Sequence, residues 1–218
     1  MINNVTKDFF TTNISYIFLL VATIGDLLIP FLLAPFSGKY NHLTMVMSLL
    51  GNRNQNCHSI YNLWLVLAGM MFVIGGIKLF VDYTKKSLAL SICLLLVILV
   101  YAIGACILSG IFSVGETKEM LTIPEKIHGY GSVLGFLLLT FAPLLIALLS
   151  FQIKDFVIGA ISIIFFILSA IFFTLFVMAD KESSARTIIS FEGLWQRLSL
   201  LCMYAPIIVI SLKKLFIN

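Results

Sequence analysis

Charge is scarce in this chain. Asp, Glu, Lys and Arg make up 11% of its 218 residues, against about 25% in a soluble globular protein. That shortage leaves no room for a sizeable soluble domain. The net charge of +4 is small and its lysines are scattered. No basic cluster with interleaved aromatics is present, which excludes a nucleic-acid-binding surface. The 4 cysteines, Cys57, Cys93, Cys106 and Cys202, form no CxxC pair and no disulfide framework. They read as small hydrophobes in packed helices, with Cys57 alone in a loop. The 3 histidines show neither HxxxH nor HExxH spacing, so no zinc motif is present. No cofactor motif, cleavable leader, internal repeat or low-complexity segment stands out.

What remains is apolar. Hydrophobic residues make up 61% of the chain, and they fall in six long continuous runs at about 9–33, 59–81, 88–112, 129–150, 155–178 and 193–213. Each can cross the ~30 Å hydrocarbon core as a helix of about 20 residues. Lipid offers no partners for backbone groups, so only helices and closed barrels span it. Continuous rather than alternating runs select helices. The expected fold is all-α, a six-transmembrane-helix bundle forming one integral membrane domain over residues 1–218.

Turns near 82–87 and 152–154 are short, whereas the connections 34–58, 113–128 and 179–192 are long. With six spans, the termini and short turns share one side and the long loops share the other. Lys and Arg near span ends set orientation. They divide seven against seven, but those on the terminus side sit in short segments at helix ends. On the long-loop side Glu116, Glu119, Glu125, Asp180, Glu182 and Glu192 dilute them. This predicts a multi-pass protein of the cell membrane with both termini cytoplasmic.

Polar residues near spans need partners or a wet cavity. His42, His58 and His128 all fall on the long-loop side, as do Arg53, Glu116, Glu192 and Arg197. His58 and Asn62 share a helix face at the start of span 2. His128, Ser132 and Gly135 do so at span 4; Glu192, Gln196 and Ser199 do so at span 6, with Arg197 beside them. The expectation is one pocket opening away from the cytoplasm. Asp26 is the acid well inside a span, and a buried ion pair between Asp26 and Arg197 would satisfy both. Arg53 or Lys39 could take the place of Arg197, or Asp26 could be protonated or bonded to a neighbouring helix. Ser132 with His128 could form a nucleophile and its base, although nearby Gly129 and Gly131 read more simply as close helix packing. Trp64 and Trp195 read as interfacial anchors, and the Phe-rich fifth span as lipid-facing.

Three blocks carry a resemblance. In NHLTMVMSLLGNRNQNCHSIYNLWLVLAG the residues concerned are His42, Ser48, Gly51 and Asn62. In SGIFSVGETKEMLTIPEKIHGYGSVLGF they are Gly110, Phe112, His128, Gly129 and Phe136. In EGLWQRLSLL they are Gly193, Gln196 and Arg197. With these blocks the chain resembles the DUF998 family of bacterial multi-pass membrane proteins, which has no assigned activity. Ser113 stands where that family usually has proline, and Glu116 is the nearest acid that follows. The architecture is also similar to the Frag1/DRAM/Sfk1 group. The resemblance implies that the three long-loop blocks belong together, and it implies no reaction.

The functional expectation is therefore a non-enzymatic membrane protein that binds a lipid headgroup or small ligand. Its site would comprise His42, Ser48, Arg53, His58, Asn62, Glu116, His128, Ser132, Glu192, Gln196 and Arg197. Arg53 and Arg197 would hold anionic groups, while the histidines and Asn62 supply hydrogen bonds. Its partner would be membrane lipid or a small molecule, with no metal and no cofactor. The alternative is a membrane-embedded hydrolase-like enzyme with a histidine–carboxylate or metal site, acting on a lipid or envelope substrate. A transporter finds no support in an inverted repeat or a broken helix pair.

Overall fold

The computed structural model describes residues 12–115, 119–179 and 187–217. Glu116 and the start of the first predicted span lie outside them. Six helices are long and apolar enough to cross a membrane. They are α1 (Ser15–Leu33, extended by a 3-10 turn Ala34–Phe36), α2 (His58–Tyr83), α3 (Leu88–Ile111), α4 (Ile123–Gln152), α5 (Phe156–Ala179) and α6 (Glu192–Phe216). No strand occurs among the described residues.

Helix starts follow local chemistry. The Ser87 hydroxyl accepts from the Leu90 N–H and caps α3. Thr122 and Glu125 form a reciprocal capping box, and Pro124 sits in the first turn of α4. Helix α4 therefore begins six residues before the predicted 129, and His128 lies inside it rather than at its entrance. The polar run Pro124–Glu125–Lys126 interrupts the apolar pattern but does not interrupt the helix.

The helices form a ring in chain order. Each packs on the next, and α6 closes back onto α1. Helix α4 breaks at Thr140–Phe141, ahead of Pro143. Its outer half, Ile123–Leu139, leans on α3; its inner half, Ala142–Gln152, leans on α5 and α6 as well as α3. A wedge is left between the outer half of α4 and α5. Helix α5 buries little besides Ile158, Gly159, Ser162 and Ser169, and the rest of it suits lipid. Between Tyr101 and Leu108, α3 winds as a π-helix. Gly104 on this stretch meets Gly131 on α4 backbone to backbone: a Cβ at Gly131 would stand 2.9 Å from the Gly104 carbonyl oxygen.

The two ends are tied differently. At the turn end, side chains clamp helix to helix. The Tyr16 hydroxyl on α1 donates to Asp82 on α2 at 2.8 Å, where Lys78, one turn earlier in the same helix, pairs with that carboxylate at 2.7 Å; Lys213 on α6 pairs with Asp155, just ahead of α5, at 2.5 Å. Asp155 has its carboxyl lowered from the ordinary value: burial pushes it up, but bonds from Lys213 and the Ile158 N–H outweigh that. At the other end, side chains hold loops.

Candidate functional site

The first long loop, between α1 and α2, is fastened by α6. Arg197 Nη1 donates to the carbonyls of His42 at 2.8 Å, Met45 at 3.2 Å and Gly193 at 2.7 Å. Its Nη2 donates to the Tyr40 hydroxyl at 2.5 Å. The guanidinium also lies over the rings of Phe31 and Tyr40. One turn away, Gln196 accepts from the Met47 N–H at 2.7 Å. A glycine is required at 193, because a Cβ there would collide with the carbonyls of His42 and Met45. Arg197 thus gives its Nη donors to two loop carbonyls, one carbonyl of its own helix and the Tyr40 hydroxyl.

The predicted Asp26–Arg197 pair does not form. Arg197 makes no ion pair with Asp26 among the described residues; loop carbonyls and Tyr40 take its donors instead. Asp26, about 10 Å before the end of α1 at 1.5 Å per residue, turns to the middle of the bundle. Its Oδ2 accepts from Tyr204 on α6 at 2.7 Å and from Tyr101 on α3 at 3.3 Å. The two tyrosine hydroxyls also contact each other. Phe72 packs against both rings. Pro30 and Pro206 lie in α1 and α6, and each removes a helical bond to the residue four before it, Asp26 and Cys202.

Trp64 is not at an interface alone. Its indole crosses Gly25, where a Cβ would stand 2.3 Å from the ring, and it is close enough to the Asp26 carboxyl to interact with it. Neither Trp64 Nε1 nor Asp26 Oδ1 has a hydrogen-bond partner.

Asp26 forms the base of a cavity of about 280 Å³ in the wedge between α4 and α5. Apolar walls come from Leu65, Ala105, Phe136, Phe173, Phe176 and Leu200. Toward the long loops it is edged by Glu119, Glu125 and Glu192. No Lys or Arg is among its described lining residues.

The sequence-derived site residues divide between these places. Ser48, His128, Ser132, Glu192 and Gln196 line the cavity. His128 Nδ1 bonds the Phe112 carbonyl at 2.8 Å; a carbonyl only accepts, so Nδ1 carries the proton. Ser109 donates to the Gly104 carbonyl at 3.1 Å, so in its 2.8 Å contact with Ser132 the latter is the donor. The Ser132 proton therefore points to Ser109, and the nucleophile–base pair with His128 is not assembled. Arg197 and His42 belong to the loop clasp instead. His42 stacks on Phe31 with centroids 4.4 Å apart, and burial, then the Arg197 charge, lowers its pKa. Asn62 donates to the Gly51 carbonyl at 3.1 Å and to Ser113 at 3.0 Å, joining two loops. His58 bonds Gln55 and Ser59 locally. Arg53 is exposed in a separate cleft beside Glu125. The two arginines expected to hold an anion thus lie off the cavity. Among the described residues no group of three or more His, Cys, Asp or Glu side chains is placed to hold a metal ion.

Tyr101, Tyr204 and Trp64 carry the Asp26 environment and were not singled out for it from sequence. A polar tip inside an apolar run was the available signal. No curated protein matches the chain. No solved structure matches it either. The family described as protein of unknown function (DUF998) matches residues 20–213, a stretch that takes in the cavity, the loop clasp and part or all of each helix, and the chain belongs to that family.

Proposed function

We propose that this multi-pass membrane protein binds a lipid headgroup or a small amphipathic molecule in the cavity between α4 and α5, without transforming it. One observation carries the reading: a cavity of about 280 Å³ with apolar walls and a buried carboxyl group at its base. Ligand pockets begin near ~300 Å³ and are mostly apolar with a few convergent polar groups. That size suits a headgroup or small molecule rather than a whole lipid. The protein sits in the cell membrane with both termini in the cytoplasm, and the cavity opens to the outside. The lysines packed at the turn end support that orientation.

The test is native mass spectrometry of the purified chain beside Ser132→Phe, which puts a ring into the cavity. Wild type carries a bound lipid or small molecule and the variant loses it. Equal occupancy in both rejects the reading. Reporter fusions at each terminus give a cytoplasmic signal; an external signal from either reverses the sidedness.

A further inference from the structure

Resting on that reading, we propose that the cavity selects a monovalent organic cation, an ammonium group with an apolar substituent, and that the Asp26 carboxyl group at its base anchors the charge. Asp26 is 2% exposed and lines the cavity. Its Oδ2 takes two tyrosine hydroxyls, while its Oδ1 has no partner. The two tyrosine hydroxyls have two protons for three contacts, so at least one of them donates to the carboxyl. Such a donor suits a carboxylate, and a bound ammonium supplies the charge that offsets the cost of burying it.

Nothing in the described protein balances its charge. Arg197 is bound to backbone carbonyls of the first long loop and of its own helix, Lys78 belongs to Asp82, and no described cation lines the cavity. An uncompensated carboxylate at this depth in lipid is unfavourable and is relieved by a cation. The ring of Tyr101 beside the carboxylate and those of Phe136 and Phe173 in the wall favour an ammonium over a hydrated metal ion. The carboxylates at the mouth draw cations in and repel anions. The apolar substituent lies against Leu65, Phe176 and Leu200.

The experiment uses the full chain in detergent at pH 7 with Trp195→Phe, leaving Trp64 as the reporter beside Asp26. The probes are phenylethylammonium, 2-phenylethanol and phenylacetate, three isosteric molecules of different charge. The ammonium quenches Trp64 saturably, at least tenfold more tightly than the alcohol, and phenylacetate does not bind. Asp26→Asn abolishes the tenfold preference. Equal affinity for ammonium and alcohol in the parent protein overturns the charge assignment while leaving the cavity reading intact. Binding of none of the three overturns this inference; joined to unchanged occupancy in Ser132→Phe, it rejects the cavity reading too. The comparison of probes on the parent protein decides the matter even if Asp26→Asn does not fold.

Discussion

Arg197 and Asp26 are two buried ionisable side chains in one bundle, and their surroundings differ in kind. Arg197 gives its Nη donors to three carbonyls and a hydroxyl, and only its Nε is without a partner. Asp26 is bonded on one oxygen and unpartnered on the other. Arg197 ties a loop to a helix and lies off the cavity; Asp26 lines it. The first placement serves the fold, and the second leaves a polar group facing a space a ligand can fill.

The contrast breaks most visibly at Arg197. Replacing it with Ala removes the charged donor to the carbonyls of His42, Met45 and Gly193 and to the Tyr40 hydroxyl, and should lower stability by about 3–5 kcal/mol. Chemical denaturation in micelles measures this, and protease cleavage within 37–57 should rise in parallel. Arg197→Lys should restore little, because an ammonium cannot reproduce the planar fork. A loss under 1 kcal/mol would mean the loop is held by other contacts.

Next in size is the close crossing of α3 and α4. Gly131→Ala places a methyl 2.9 Å from the Gly104 carbonyl oxygen, with backbone on both sides and no flexible side chain to yield. A loss of about 1–3 kcal/mol is expected. An unchanged melting temperature would show that the helices separate freely.

Asp26→Asn sharpens the comparison by changing sign. Removing an uncompensated charge while keeping its shape should leave stability within about 1 kcal/mol or raise it. A loss like that of Arg197→Ala would place Asp26 among the structural charges.

The smallest effect belongs to His42. Burial, then Arg197, lowers its pKa in the folded state. The unfolded chain therefore takes up a proton first as pH falls below about 6.5. Stability contributed by the neutral ring is complete above that pH and declines beneath it. Melting between pH 7.5 and 5.5 should fall more for wild type than for His42→Gln, and equal slopes would exclude the effect.

The bundle was legible because apolar runs of this length have one solution in lipid. The start of α4 was not, since Pro124 and Glu125 read as loop, although Thr122 and Glu125 formed a capping signal. Polar residues at helix starts were legible as a group and ambiguous individually. Gln196 and Arg197 are adjacent, yet Gln196 reaches the cavity edge and Arg197 does not. Neither apolar periodicity nor span length specifies which loop carbonyls will fold back to need a donor. Asp26 stood out by its depth, but its partners came from tyrosines on helices far away in the chain.

The wide winding between Tyr101 and Leu108 carries a final consequence. A surplus residue in a helix offsets the downstream side chains by about 100° from the phase of a regular rod. Ser109 and Phe112 owe their bearing toward Ser132 and His128 to that offset. Deleting one residue there would barely shorten the span, yet it would swing both anchor points around the barrel of the helix. This segment should therefore tolerate changes of side chain on its bilayer surface and resist changes of length.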